Sequence, residues 1–554
     1  MKNVILVVIT TALLICFACQ CFIVNAAISG YCGDNLVFSL IDGTLTISGK
    51  GDMYNWTNNA NVPWFNSGTI NKVVIKSGVT SIGDKAFTGC VGLTSIEIPN
   101  TVKTIGKNAF QLCLSLTSID LPDNITKIDE STFKNCEALE NITIPSKVTS
   151  IGYGAFFSCD KLVNIQIPSS VKSIGNCAFE YCSSLKSVSI PYGVKTIGSS
   201  TFDNCKSLTT VNIPQTVTEI GSSAFAYCTS LKTIEIPASV KTVGRLAFNG
   251  CTALTTVTNF SGVSTLGDSV FCDCKALKTI TIPNSVTSIP DLTFSNCKKL
   301  TKIVLPDYLD SIGEYAFRGC TSLSSIELPQ SLTKINREAF SGCTSLEEIT
   351  IPANVSEIND HILLNCTKLE RITVDTSNYN YSSDNHGVLF DKSRTVLMQY
   401  PNGNQATSYV VPESVSEIDN YAFAYSKYLK HLKVPNNVGD IGDNAFSSCS
   451  SLEKAILPTD DVAIGLSIFD SSYKLSVYGY ENTRVQDYCN DNGYSYIVYD
   501  DIEYISDDLL SLRKEIAGVS KADDIEIEIF DVARDGTLNV NDIVLMRKKI
   551  AGLA

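Results

Sequence analysis

Apolar positions return along most of this chain at a fixed interval of 23 residues. Phenylalanine stands at Phe87, Phe110, Phe133, Phe156, Phe179, Phe202, Phe225, Phe248, Phe271, Phe294, Phe317 and Phe340, and Leu363 takes the thirteenth place. Three residues after each comes a cysteine, from Cys90 and Cys113 through to Cys366. The phase is interrupted and then resumes at Phe423, Phe446 and Phe469. Within one period Ile96 and Ile98 alternate with Ser95 and Glu97, the two-residue rhythm of a half-buried strand. Pro99 ends that strand, because it has no N–H to give to a ladder. Gly106 marks a turn, and Ala109-Phe110-x-x-Cys113 supplies a short helical or tight-turn side. One such unit is too small to bury its own apolar face, whereas stacked units bury it together. The pattern therefore predicts a repeat solenoid, with a β-strand and a short helix or turn in each 23-residue coil.

These residues resemble the leucine-rich repeat proteins of the BspA-like type, whose coils carry an Ile-x-Ile-Pro strand and an Ala-Phe-x-x-Cys turn. The resemblance runs over about residues 28–499 and takes in Cys32-Gly-Asp-Asn-Leu36 and Leu45-Thr-Ile-Ser-Gly49 at the start. Departures are local: Asn259-Phe260 replaces Ile-Pro in one coil, and Ser426 and Ser472 replace the cysteine in two others. The organisation expected is an N-terminal cap over 27–70, a first repeat block over 71–374 and an insertion over 375–408. A second block over 409–475 and a C-terminal cap over 476–499 follow.

The regular cysteines stack with identical orientation and have no natural pairing, so they are expected to be buried free thiols that pack as small hydrophobes. Trp56 and Trp64 precede the first coil and are expected in the core of the cap. The outward position between the strand aliphatics is Glu97, Asp120, Thr143, Gln166, Ser189 and Asn212, continuing as Glu235, Thr258, Thr281, Val304, Glu327, Thr350 and Thr373. This column holds no aromatic platform for a sugar and no cation for an anionic ligand. It suits a protein partner met through many weak polar contacts, or a spacer that binds nothing.

Composition narrows the functions further. Net charge is −14, from 43 basic and 57 acidic residues, and nucleic acid needs a basic stripe that is missing here. Only His361, His386 and His431 are available for histidine chemistry. No Gly-x-Ser-x-Gly or His-Glu-x-x-His motif occurs, and no segment outside the repeats is large enough for a catalytic domain. The chain reads as non-catalytic.

Both ends carry addresses. Met1-Lys2-Asn3, an apolar run from Val4 to about Phe22, and Val24-Asn25-Ala26 form a secretory signal peptide over 1–26, so the expected location is outside the cell. At the other end, 500–554 holds 13 acidic and 7 basic residues. Asp531 to Asp542 has the twelve-residue spacing of a calcium loop. Asp531, Asp535, Asn539 and Asp542 stand at positions 1, 5, 9 and 12, Gly536 makes the bend, and Thr537 offers its carbonyl. Ala533 at position 3 leaves one site to water. Asp508, Arg513, Lys514, Ile516, Ala517 and Gly518 recur 34 residues later as Asp542, Arg547, Lys548, Ile550, Ala551 and Gly552.

A duplicated loop and helix at a C-terminus resembles the type I dockerin, a small all-α Ca2+-binding module that plugs secreted proteins into the cohesin of a scaffold protein, as in cellulosomes. The resemblance implies cohesin contacts at Val540, Asn541, Arg547 and Lys548 and, in the first copy, at Ser506, Asp507, Arg513 and Lys514. The loop of the first copy, 497–508, lacks the glycine and most ligands, so one strong calcium site is expected. Together these features predict a secreted protein docked on a cohesin-bearing scaffold, with the solenoid presented for protein recognition. An adhesin that binds a host, plant or bacterial surface is the alternative.

Overall fold

The computed structural model describes residues 28–65, 70–458 and 462–498. The chain divides into two compact units, Met1–Val217 and Thr218–Ala554. In the first, Ile28–Gly33, Leu36–Ile41 and Thr44–Gly49 form an antiparallel meander. Its third strand pairs in parallel with Lys72–Ile75, which pairs with Ser95–Glu97. From there every coil adds one parallel strand in a register of 23, as Asn141–Thr143 lies on Asn164–Gln166 and Ser187–Ser189 on Thr210–Asn212. A second row of two-residue strands follows each proline corner, with Lys127–Ile128, Ser150–Ile151 and Ser173–Ile174 in register. Trp64 is buried and stacks on Phe87, one period later in the chain, and its indole N–H donates to the Ala86 carbonyl at 2.8 Å. Trp56 meets it edge-on, so both tryptophans belong to the cap core as expected.

The second unit repeats this construction from Thr233–Glu235 to Arg371–Val374, except that the coil around Ile326 has no regular strand there. Asn259 adopts a left-handed conformation where the other coils of this block have isoleucine, leucine or valine, and Phe260–Gly262 makes one 3-10 turn. Phe260 packs edge-on against Phe271. Gly262 is required there by close approach, because a Cβ would stand 1.9 Å from the Ala238 carbonyl oxygen. The unit closes with Ser476–Gly479 and Ser495–Val498 in parallel and the helix Arg484–Asn492 between them. Thr483 caps that helix by accepting from the Gln486 N–H, and Val485 and Cys489 are its buried residues.

The third side of each coil is turn, and this settles the helix-or-turn expectation against a helix. Asn108 and Leu112 are left-handed (φ 55° and 61°), and the same two places recur in coil after coil. With a left-handed residue at each end of this segment, the N–H groups of Asn108, Phe110 and Leu112 point at the next coil. They donate to the carbonyls of Glu130, Thr132 and Lys134 at 2.9–3.0 Å. The alternate residues Ala109, Gln111 and Cys113 close three successive turns inside their own coil, as Cys113 N–H does on the Phe110 carbonyl. A helix would spend those donors locally; the stack uses them to join coils. A left-handed non-glycine residue costs about 1 kcal/mol or more, which these inter-coil bonds offset. Gly106 opens the first of these turns, as expected, with its carbonyl accepting the Ala109 N–H, and it also allows a close approach between coils. Its Cβ would stand 2.5 Å from the Asp84 backbone nitrogen of the preceding coil.

The core is two ladders. The phenylalanines are fully buried and stacked, with centroids 5.4 Å apart for Phe110 on Phe87 and for Phe317 on Phe294. Beside them the regular cysteines donate their S–H to the phenylalanine carbonyl of the preceding coil. The distance is 3.1–3.3 Å from Cys113 on Phe87 to Cys205 on Phe179, and again from Cys251 on Phe225 to Cys366 on Phe340. The described cysteines are free, as expected, but they are donors as well as small hydrophobes. Ser472 fills the same role with a hydroxyl, 2.9 Å from the Phe446 carbonyl.

Candidate functional site

The strand face is the side on which the ladder leaves side chains in solvent. Every residue of the outward column from Glu97 to Thr373 is exposed, while the flanking aliphatics on the inner side, such as Ile142 and Ile165, are buried. The column is polar and largely self-contained. Lys72 pairs with Glu97 at 2.7 Å, which holds the Glu97 carboxyl below its ordinary range, and the Asn259 amide donates to Glu235 at 2.6 Å.

One place on this face is different. Tyr400 lies one 23-residue step before Phe423 and stacks on it at 5.1 Å, so the phase resumes there, a coil earlier than the phenylalanines alone indicate. Leu363 and Tyr400 are 37 residues apart instead of 23. The surplus folds as an antiparallel hairpin, Tyr381–Ser383 on Leu389–Asp391 on Val396–Gln399. Asparagines fasten it to the coils. Asn378 is fully buried and donates to the carbonyls of Pro352 and Val355, and its own side-chain oxygen accepts from the N–H groups of Asn380 and Tyr381. Asn402, also buried, accepts from the Cys366 N–H at 2.9 Å and donates to the Ala424 carbonyl. Gln399 donates to the Tyr400 carbonyl at 3.1 Å, the place a cysteine of the following coil would serve, and Ser426 accordingly turns to the Phe423 carbonyl of its own coil.

The insertion stands on the strand face and walls off a cleft of about 790 Å3. Ser324, Ser325, Glu347, Glu348, Glu370 and Arg371 make its floor on three successive coils. Asn385, His386, Asn404, Gln405 and Ala406 make its wall. Gly387 allows the close contact, since a Cβ there would come within 2.9 Å of the Arg371 Cα, and its carbonyl accepts the Ile372 N–H at 3.1 Å. Asn404 donates to the carbonyls of His386 and Glu370, and Gln405 donates to the Glu370 carboxylate at 2.8 Å. On the far side of the wall Tyr409 donates to Asp384 at 2.8 Å, and burial raises the Tyr409 phenol far above its ordinary range.

Apart from His386, noted only as one of three histidines, none of these cleft residues was singled out from the sequence. The one available signal was the length of the interrupted coil. The residues expected to ligate calcium, Asp531, Asp535, Thr537, Asn539 and Asp542, the positions expected to face a cohesin and the expected signal peptide lie outside the described residues. Among the described residues there is no cluster of His, Cys, Asp and Glu fit to hold a metal, and no helix long and apolar enough to cross a membrane.

Short parallel strands in a register of 23, a turn stack, buried phenylalanine and thiol ladders and a polar exposed strand face define a leucine-rich repeat β-solenoid, of about 18 turns. The model of the BspA type leucine rich repeat region matches residues 61–186, 173–301, 287–386 and 400–505, and the chain belongs to that family. Similar solved structures include a leucine-rich repeat protein from Bacteroides ovatus, 30% identical over 62% of this chain and 94% of that one, with a TM-score of 0.49. A leucine-rich cell surface protein from Faecalibacterium prausnitzii is 28% identical over 56% of this chain and 86% of that one, with a TM-score of 0.43. The leucine-rich repeat protein of Treponema pallidum is 32% identical over 35% of this chain and 86% of that one, with a TM-score of 0.29. No curated protein matches the chain.

Proposed function

We propose that this is a secreted, non-catalytic recognition protein. Its signal peptide (1–26) sends it out of the cell, and its C-terminal segment (500–554) docks it on a cohesin-bearing scaffold. The solenoid then offers its strand face to a protein partner. The observation that carries the docking half is the duplication at a spacing of 34, with a second-copy loop whose donors are all oxygen. Hard oxygen donors at that spacing fit Ca2+, and Asp531, Asp535, Thr537, Asn539 and Asp542 would hold it. Bound calcium supplies the charge that lets the three aspartates lie together and orders the loop; Val540, Asn541, Arg547 and Lys548 would then face the cohesin. The recognition half is supported by the exposed polar column, whose hydroxyls, amides and carboxylates suit many shared hydrogen bonds across a broad contact.

Immobilised full-length protein incubated with culture supernatant tests both halves. A cohesin-bearing protein should be captured with calcium and released by a chelator, while a partner of the solenoid should stay bound. Capture unaffected by the chelator would contradict docking through the tail. The adhesin alternative predicts retention on whole cells or plant fibre with no scaffold protein present.

A further inference from the structure

The cleft beside the insertion holds charges that neighbouring coils leave unmatched. Residues 23 apart on successive coils can close into ion pairs, as Lys334 does with Glu357 at 2.6 Å and Lys430 with Glu453 at 3.3 Å. Glu348 and Arg371 stand in the same relation, directly in register on Glu348–Ile351 and Arg371–Val374, yet they remain apart. Among the described residues no opposite charge lies at ion-pairing distance from Glu347, Glu348 or Arg371. Glu347 stands one coil from Glu370, where like charges in adjacent rungs repel. Gln405 satisfies one oxygen of Glu370. The floor therefore presents three carboxylates against one guanidinium. The wall offers amides and the His386 ring, and it is held in place by the buried asparagines rather than left to fold on contact.

Resting on the reading of the solenoid as a protein-recognition surface, we infer that this cleft is where the partner is gripped, and that it takes an extended segment bearing a lysine or arginine. The cation seats between Glu347, Glu348 and Glu370, and a carbonyl or carboxylate one or two residues away meets Arg371. An open, mostly polar groove favours a chain segment over an enclosed small molecule. Charge complementarity fixes which segment enters more than how tightly it binds.

The test uses the full-length protein and two fluorescein-labelled peptides of alternating glycine, one carrying lysine and arginine and one carrying glutamate and aspartate, followed by anisotropy at low salt. The basic peptide should bind, the acidic one should not. Glu347→Gln/Glu348→Gln should weaken the basic peptide by about tenfold, as loss of two charge-assisted contacts implies. Asp123→Asn/Glu314→Gln, the same charge change at exposed acids off the outward column and outside the cleft, should leave it unaltered. Circular dichroism melting checks that all variants are folded. Equal affinity in the two double variants, or binding of the acidic peptide as tight as the basic one, overturns the inference. Capture of the solenoid's protein partner undiminished by Glu347→Gln/Glu348→Gln also overturns it, while leaving protein recognition intact. Failure of the wild-type solenoid to capture any protein overturns both.

Discussion

Replacing Cys297 by serine should cost less than replacing it by alanine. The thiol is fully buried and lies 3.2 Å from the Phe271 carbonyl of the preceding coil. Alanine removes one large buried atom, worth about 1 kcal/mol of transfer free energy plus a cavity contribution of similar size. It also removes a weak donor, worth a few tenths of a kcal/mol to about 1. The carbonyl is not orphaned, because the Cys274 N–H still reaches it at 3.1 Å, so no full desolvation penalty arises. The total is about 2 kcal/mol. Serine creates a smaller void and keeps a donor, as Ser472 does naturally on Phe446, so its cost should be about 1 kcal/mol. If the cysteines served only as small hydrophobes, the order would reverse, since an unmatched buried hydroxyl costs roughly 1–3 kcal/mol. Urea unfolding of the full chain, with hydrogen exchange at the amides of residues 290–300 as the local readout, separates the two accounts. A serine variant as unstable as the alanine variant, or more so, refutes the donor role.

Alkali should unfold the protein steeply. Burial pushes the Cys136 and Cys366 thiols from 9.0 up to about 12, so the folded state keeps protons that the unfolded chain releases. Their contribution is complete below pH 9 and is lost as pH rises towards 12, and the melting temperature measured across that window should fall. A flat profile would contradict the burial of the ladder. Alkylation under denaturing, non-reducing conditions should label nearly all of Cys90 to Cys366, and mass spectrometry showing wholesale protection would mean that they are bridged. Ile236→Asp should destabilise by about 4 kcal/mol through an unpaired buried charge, whereas the exposed neighbour Glu235→Ala should stay within about 0.5 kcal/mol.

Much of this fold was legible because a coil repeats both its residues and its environment. The step of 23 gave the ladders, the Ile-x-Ile rhythm gave the strand face, and the outward column from Glu97 to Thr373 is exposed throughout. What escaped depends on contacts between coils. The left-handed residues at Asn108 and Leu112 are stabilised by carbonyls 22 residues ahead, so local propensity favours a helix that the stack overrides. Cys177, unexplained by the thiol ladder, occupies one of these left-handed turn positions (φ 58°). The donor role of the thiols joins residues 26 apart, and nothing in a single unit hints at it. Trp64 and Tyr400 keep the phase of the phenylalanines but differ from them in kind, so the ladder looked shorter than it is. The cleft was hidden for a further reason: its floor and wall are brought together only when the insertion folds back over Arg371.

Docking through calcium is the part of the account on which its biology turns. Titration calorimetry of the full-length protein against a panel of cohesin modules, in calcium and in chelator, measures it directly. Without a cation Asp531, Asp535 and Asp542 repel one another, so the binding surface of the tail should form only when calcium fills the loop. The account predicts tight binding to at least one cohesin in calcium, with none in chelator and none for Asp531→Ala/Asp542→Ala. The paired Arg513-Lys514 and Arg547-Lys548 should make that binding weaken as salt rises. Affinity for a cohesin that survives the chelator, or that the double substitution leaves undiminished, would contradict it.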